Sequence, residues 1–405
     1  MAFDFKDKKV VLLLQGGGAL GAYQVGAYRA LAERCKKINW VAGISIGAFN
    51  ASVIAAHRDG DAVQGLCDLW NDILLSPLPP FDFNGLWKLV PTNSWLQQLE
   101  PKYLGWGSMA LPFGLPNFFT SRVVNPLLNP WVMQWFRPLD RNELAFYDTT
   151  PMRATLRRHV DFSKLGMRLS LGVTRVTDGE VVFFDSQESA SGDCILQKVD
   201  FTVDHTLASG ALPPAFPPSE IGGVWYFDGG VSSNTPIEAL QYEFECGMED
   251  TIVFIIDIWD RKRKELPRSL EDVLWRQKSI QYGSRKKAAE TVVNDYEQKG
   301  QLNPGKLKLL EVCQVMYETD DSEKQFSFSD ADFSRATFNK LSEQGYEDMA
   351  SALKGVQPVI DGKYSKLYRV GSLDKHAETD VKLVERYQTR RKKEPAGAKR
   401  DFATP

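Results

Sequence analysis

The first apolar pattern in the chain is a short unbroken run, Val10-Val11-Leu12-Leu13-Leu14, stopped by Gln15-Gly16-Gly17-Gly18. A run of that length without polar alternation predicts a central strand buried on both faces. From Leu20 to Leu31 the apolar positions Tyr23, Ala27, Ala30 and Leu31 recur at helical spacing and predict a helix. Trp40-Val41-Ala42-Gly43-Ile44 then predicts a second strand, and the Ala-rich stretch Ile46–His57 a second helix with Asn50 and Ser52 as its polar breaks. This βαβα alternation belongs to a parallel sheet covered by helices. Further along, Pro151–Val160 has the pattern of an amphipathic helix, and Leu169–Thr174 and Glu180–Phe184 flank Asp178-Gly179 as a hairpin, which makes the sheet mixed. Val224–Phe227 and Thr251–Ile258 are the last strand-like runs.

The expected architecture is therefore a three-layer α/β sandwich with a mostly parallel central sheet, its main domain covering residues 8–260. Between about 74 and 140 regular periodicity is lost, and Trp87, Trp95, Trp106, Trp131 and Trp135 supply five of the chain's ten tryptophans. Two descriptions fit this stretch and are compatible: an inserted helical subdomain with its own small core, and an apolar cap, lid or membrane-facing surface. Residues 261–388, rich in Lys, Arg, Glu and Gln, are expected to form a mostly helical accessory region, and 389–405 a disordered tail with a basic run.

Composition narrows the function classes. Of 405 residues 43% are hydrophobic and 25% charged, enough for a substantial core, and a formal net charge of -3 argues against a nucleic-acid partner. Five scattered cysteines without a C-x-x-C indicate neither a disulfide framework nor a clustered zinc site, so a reducing, cytoplasmic setting is expected. Val10–Leu14 is too short for a signal-peptide core, and no 18-residue apolar span is present to cross a bilayer as a helix. No cofactor or metal, calcium included, is expected.

Candidate chemistry sits at the strand ends. Gly43-Ile44-Ser45-Ile46-Gly47 is a G-x-S-x-G at a predicted strand-to-helix turn, where a nucleophile elbow exposes a serine hydroxyl. Gly43 and Gly47 remove side chains where strand, helix and substrate come close. Gly16-Gly17-Gly18-Ala19-Leu20-Gly21 ends the preceding strand and opens a helix, so its backbone N–H groups can converge on the charge that develops when an ester is attacked. The same glycines fit G-x-G-x-x-G, but a dinucleotide site would need a carboxylate at the end of the second strand, where Ser45 stands. For a base, the chain offers four histidines, of which His205 is the best placed, and Asp228-Gly229-Gly230 at the end of the Val224–Phe227 run.

These blocks in this order resemble the patatin-like phospholipase family. Ala208-Ser209-Gly210-Ala211-Leu212-Pro213-Pro214-Ala215-Phe216-Pro217 and Asn234-Thr235-Pro236 are similar to two further segments of that family, and the likeness covers roughly residues 8–260. The resemblance implies a serine lipid acyl hydrolase of phospholipase A or carboxylesterase type. It implies a catalytic Ser45–Asp228 dyad without histidine, an oxyanion hole from the backbone of Gly16, Gly17 and Gly18, and an acyl-enzyme intermediate. The implied partner is a lipid or other acyl ester, with peripheral membrane contact. The sequence departs from the family where Arg or Lys commonly precedes the last glycine of the loop: Leu20 stands there, and Gln15 stands where Asp is common. A neutral acyl ester therefore remains a second substrate class beside phospholipids. A lipid-binding module that has lost catalysis is the alternative from another functional class.

Overall fold

The computed structural model describes residues 8–35, 37–57, 61–75, 114–122, 140–141, 144–187, 196–240, 251–259, 266–283, 307–313, 329–355 and 367–370. Its first elements are β1 (Lys9–Leu14), α1 (Ala22–Ala32), β2 (Trp40–Ile44), α2 (Ile46–Ala56) and α3 (Ala62–Ile73). Three short strands follow, β3 (Gly114–Leu115), β4 (Phe119–Ser121) and β5 (Tyr147–Asp148), then α4 (Thr150–His159), β6 (Arg168–Arg175), β7 (Val181–Asp185) and β8 (Leu196–Lys198). The chain continues through α5 (Val203–Ser209), β9 (Ser219–Ile221), β10 (Val224–Asp228), β11 (Thr251–Asp257) and α6 (Leu270–Tyr282). It ends its described course with β12 (Leu307–Cys313), α7 (Arg335–Gly355) and β13 (Leu367–Val370).

The main sheet runs β13-β12-β11-β1-β2-β6-β10-β9, with β7 and β8 joined at β6. The block from β13 to β6 is parallel throughout, whereas β6–β7, β6–β10 and β10–β9 are antiparallel. The fold is thus α/β with a mostly parallel central sheet. Alternation along β1 divides the core: Val10, Leu12 and Leu14 pack on the side that carries α1, α2 and α3, and Val11 and Leu13 pack against Trp40, Phe183, Val253 and Leu240 on the other. Burial on both faces is what the unbroken apolar run at 10–14 requires. β1 and β2 end next to each other at the Gly16 and Ser45 turns, and β10, running antiparallel on the far side of β6, brings Asp228 opposite Val173, one residue beyond the Gly172 that pairs with Ile44.

Of the 261–388 stretch, expected as a mostly helical accessory region, the described residues form α6 and α7 together with the two strands β12 and β13. β12 and β13 extend the central sheet in parallel from β11, and α7 lies on α1. The two helices meet backbone to backbone, because a Cβ added to Gly345 would fall 2.0 Å from the Tyr23 carbonyl oxygen and one added to Gly26 1.7 Å from that of Ser342. Tyr23 Oη also donates to Asp348 Oδ2 at 2.8 Å in this buried seam. Charged residues dominate this part of the sequence, yet its described elements complete both the sheet and the layer above α1. The tryptophans of the 74–140 insertion and the 389–405 tail lie outside the described residues.

Candidate active site

Ser45 occupies the turn between β2 and α2 with φ 55° and ψ −127°, the only non-glycine with positive φ among the described residues. A β-carbon in that region is strained, and such strain persists only where the surroundings enforce it. They do so on two sides. Gly43 and Gly47 leave no room for side chains, since a Cβ on Gly43 would sit 2.2 Å from the Gly47 carbonyl oxygen. The Ser45 N–H donates to both the carbonyl oxygen and Oγ of Ser209, each at 3.1 Å, and Ser209 Oγ donates in turn to Gly172 O at 2.6 Å. α5 thereby holds the elbow from below.

Asp228 ends β10, where its N–H donates to Ala211 O at 2.9 Å and its carbonyl oxygen accepts from Thr174 Oγ1 at 3.0 Å. Its Oδ1 accepts from Gly230 N at 2.7 Å. The other oxygen, Oδ2, is buried and closes no hydrogen bond of full geometry among the described residues. Burial pushes the Asp228 carboxyl up to about 7; the Ser45 side chain and the Gly230 N–H pull against that rise but do not cancel it. The serine is thus the hydroxyl neighbour of a carboxylate that takes up a proton near neutral pH.

Gly16, Gly17 and Gly18 leave the end of β1 beside this pair, and a Cβ added to Gly16 would lie 2.9 Å from Ser45 Cβ. The Gly16 carbonyl accepts from Trp259 Nε1 at 2.7 Å and Asn234 Nδ2 at 2.9 Å. All three glycines, Ser45 and Asp228 line one cavity of about 170 Å³. Its apolar wall includes Phe49, Phe118, Phe119, Tyr147, Phe216 and Phe333. Gln15 and Leu20 stay out of it. Leu20 is buried in the core, and Gln15 ties the loop down, donating to Thr235 Oγ1 at 3.0 Å and Tyr282 O at 2.8 Å while its Oε1 accepts from Ile258 N at 2.8 Å.

The histidines serve elsewhere. His205 is buried edge-on against Phe184 and Phe201, and its Nδ1 accepts from the Thr202 N–H at 3.0 Å as part of the cap of α5. Burial lowers its pKa, so it is a neutral capping residue. His57 Nδ1 contacts Val53 O at 2.8 Å, and His159 Nε2 contacts Asp72 Oδ2 at 2.8 Å. His376 lies outside the described residues. Among the described residues no group of three or more His, Cys, Asp or Glu is arranged to hold a metal ion, and no helix is long and apolar enough to cross a membrane.

Several cavity residues carry no local sequence signal. Trp259 follows β11, Tyr282 ends α6, and Asp330, Ala331 and Phe333 come from the turn before α7. Asp330 holds Lys278 Nζ with both oxygens, at 2.8 and 2.9 Å, and its backbone oxygen rests on Gly18. Phe333 packs on Phe118 with ring centroids 5.2 Å apart.

A family model described as patatin-like phospholipase matches residues 12–240, more than half of the chain. The chain belongs to the patatin-like phospholipase family. A second family model, DUF3734, described as patatin phospholipase, matches residues 284–359 of this patatin-like chain. Patatin-like phospholipase domain-containing protein 7 of Rattus norvegicus is 37% identical over 67 residues, 16% of this chain and 5% of that protein. Lysophospholipase nte1 of Neurospora crassa is 46% identical over 59 residues, 15% of this chain and 4% of that protein. The match thus spans about a twentieth of these curated relatives. Among solved structures, VipD from Legionella pneumophila superposes with a TM-score of 0.35 at 16% identity, covering 96% of this chain and 77% of that one. ExoU in the ExoU–SpcU complex of Pseudomonas aeruginosa gives 0.30 at 14% identity, covering 95% and 59%.

Proposed function

We propose that this patatin-like protein is a serine lipid acyl hydrolase, of phospholipase A or carboxylesterase type, that works through a Ser45–Asp228 dyad. The observation that carries the reading is a serine on a strained turn beside a fully buried carboxylate whose pKa stands near 7. A general base is most effective with a pKa near the working pH, and a water-exposed aspartate at about 3.9 would be a poor one. Ser45 Oγ attacks the ester carbonyl carbon while Asp228 takes the hydroxyl proton. The carbonyl oxygen becomes an oxyanion facing the backbone N–H groups of the 16–18 loop. Collapse expels the alcohol, which leaves with the proton from Asp228, and an acyl-Ser45 ester remains. Water then attacks that ester with Asp228 again receiving a proton, and as the acyl–oxygen bond breaks Asp228 returns that proton to Ser45 Oγ and the carboxylic acid departs.

One observation favours neutral acyl esters over anionic phospholipids. Among the described residues the charged side chains lining the cavity are Asp228 and Asp330, both acids. A phosphate beside the glycine loop would meet Asp330 and its bound Lys278 rather than an unopposed cation.

The test is labelling with an alkyl fluorophosphonate in the presence of lipid vesicles, with the adduct located by peptide mass. One adduct on Ser45 is expected, lost in Ser45→Ala and slowed at least a hundredfold in Asp228→Asn. Absence of an adduct in the wild type, with vesicle binding retained, sinks the hydrolase and leaves a lipid-binding module. Comparing a monoacylglycerol with phosphatidylglycerol at equal chain length then tests the neutral-ester preference.

A further inference from the structure

The Gly16 carbonyl oxygen accepts from Trp259 Nε1 and Asn234 Nδ2, so both of its lone pairs are taken. The Gly16–Gly17 peptide is trans, and in a planar trans peptide the N–H points opposite to the C=O. Two donors that fix the carbonyl therefore also fix the direction of the Gly17 N–H. That N–H donates to no other described group. It belongs to a peptide packed against Ser45 and lining the same cavity.

The geometry points to Trp259 as a positioning residue which, together with Asn234, aims the Gly17 N–H at the oxyanion. This rests on the acyl-transfer reading above. The indole is suited to the task because it cannot drift. It is buried, its ring lies 5.1 Å from that of Trp275 and 5.4 Å from that of Tyr282, and the backbone N–H of Trp259 donates to Asp257 Oδ1 at 3.2 Å. It also dictates the residue it serves, since a Cβ on Gly17 would fall 2.8 Å from Trp259 Nε1. Trp259 lies beyond the 12–240 span of the family match, so the donor's orientation depends on a part of the chain outside the motif blocks.

The test compares Trp259→Phe, which keeps an aromatic ring against Trp275 and Tyr282 but drops the N–H, with the wild type. The readouts are ester hydrolysis and inhibition by an alkyl trifluoromethyl ketone, which adds to a serine as a tetrahedral oxyanion. A kcat about 10- to 100-fold lower is expected, with KM within about twofold and the ketone's Ki raised by the same factor as kcat/KM falls. Asn234→Ala, which removes the other donor, is expected to act in the same direction and carries the test if Trp259→Phe does not fold. A kcat within twofold of wild type in a folded variant, a loss confined to KM, or an unchanged ketone Ki overturns the assignment. A wild type without a Ser45 adduct overturns the assignment and the hydrolase reading together. A labelled wild type with an indifferent Trp259→Phe overturns the assignment alone.

Discussion

Asp228 sets chemistry against stability. In the unfolded chain its carboxyl ionises near 3.8, whereas burial in the fold holds the proton to about 7. Between those values the folded state binds more protons than the unfolded one, so stability falls as pH rises from about 4 to about 7 and is level above. At about 1.4 kcal/mol per pH unit the full cost is on the order of 4 kcal/mol. Asp228→Asn removes that cost together with the proposed base. The variant is expected to lose turnover and yet melt a few degrees above wild type at pH 8, with the gap closing toward pH 4. A variant that melts at or below wild type at pH 8 contradicts the burial argument. For the wild type the same carboxyl predicts an acid limb in kcat/KM with a midpoint near 7, because only the ionised form accepts the serine proton. A flat profile between pH 5 and 8 would exclude Asp228 as the base. At this scale the sequence was informative wherever a residue sits in a motif at a strand end, as Ser45, Asp228 and Gly16–Gly18 do. It was silent on Trp259, Tyr282, Asp330 and Phe333, whose neighbours in sequence say nothing about where the sheet will carry them. His205 stood between: its place in the Thr202-x-x-His205 cap explains a buried histidine without catalysis.

Among the elements, those governed by local periodicity were legible. The β2 expectation matches residue for residue, and the 178–179 turn joins β6 to β7 as an antiparallel pair. β12 and β13 were not, because Lys308, Glu311 and Arg369 interrupt their apolar runs and the strands they extend the sheet from, β11 and β12, lie 56 and 58 residues earlier in sequence. The α1–α7 seam was equally hidden, although it is the tightest helix contact described. Gly345→Val drives two methyl groups into the backbone of α1 at Tyr23, an overpacking that costs about 1–3 kcal/mol. Because α1 continues directly from the 18–21 turn of the glycine loop, displacement there also moves the site. A melting temperature lowered by several degrees and slower fluorophosphonate labelling are expected together. Unchanged melting would mean that the two backbones are not in contact.

For the whole molecule, the extent of the domain follows from the sheet. A chain cut after residue 260 loses β12 and β13 from the edge of β11, uncovers α1, and opens the cavity where Asp330, Ala331 and Phe333 close it. Fragment 1–260 is expected to lack a cooperative thermal transition and Ser45 labelling. A soluble fragment that melts cooperatively and labels at the wild-type rate would make 261–405 an appendage after all.

The first strand is paired with residues 251–256, and the cavity wall is finished only by residue 333. A ribosome makes this chain from the other end, so the serine turn emerges long before the groups that shelter it. Under the proposed function, reactivity at Ser45 is therefore expected to arrive late and all at once.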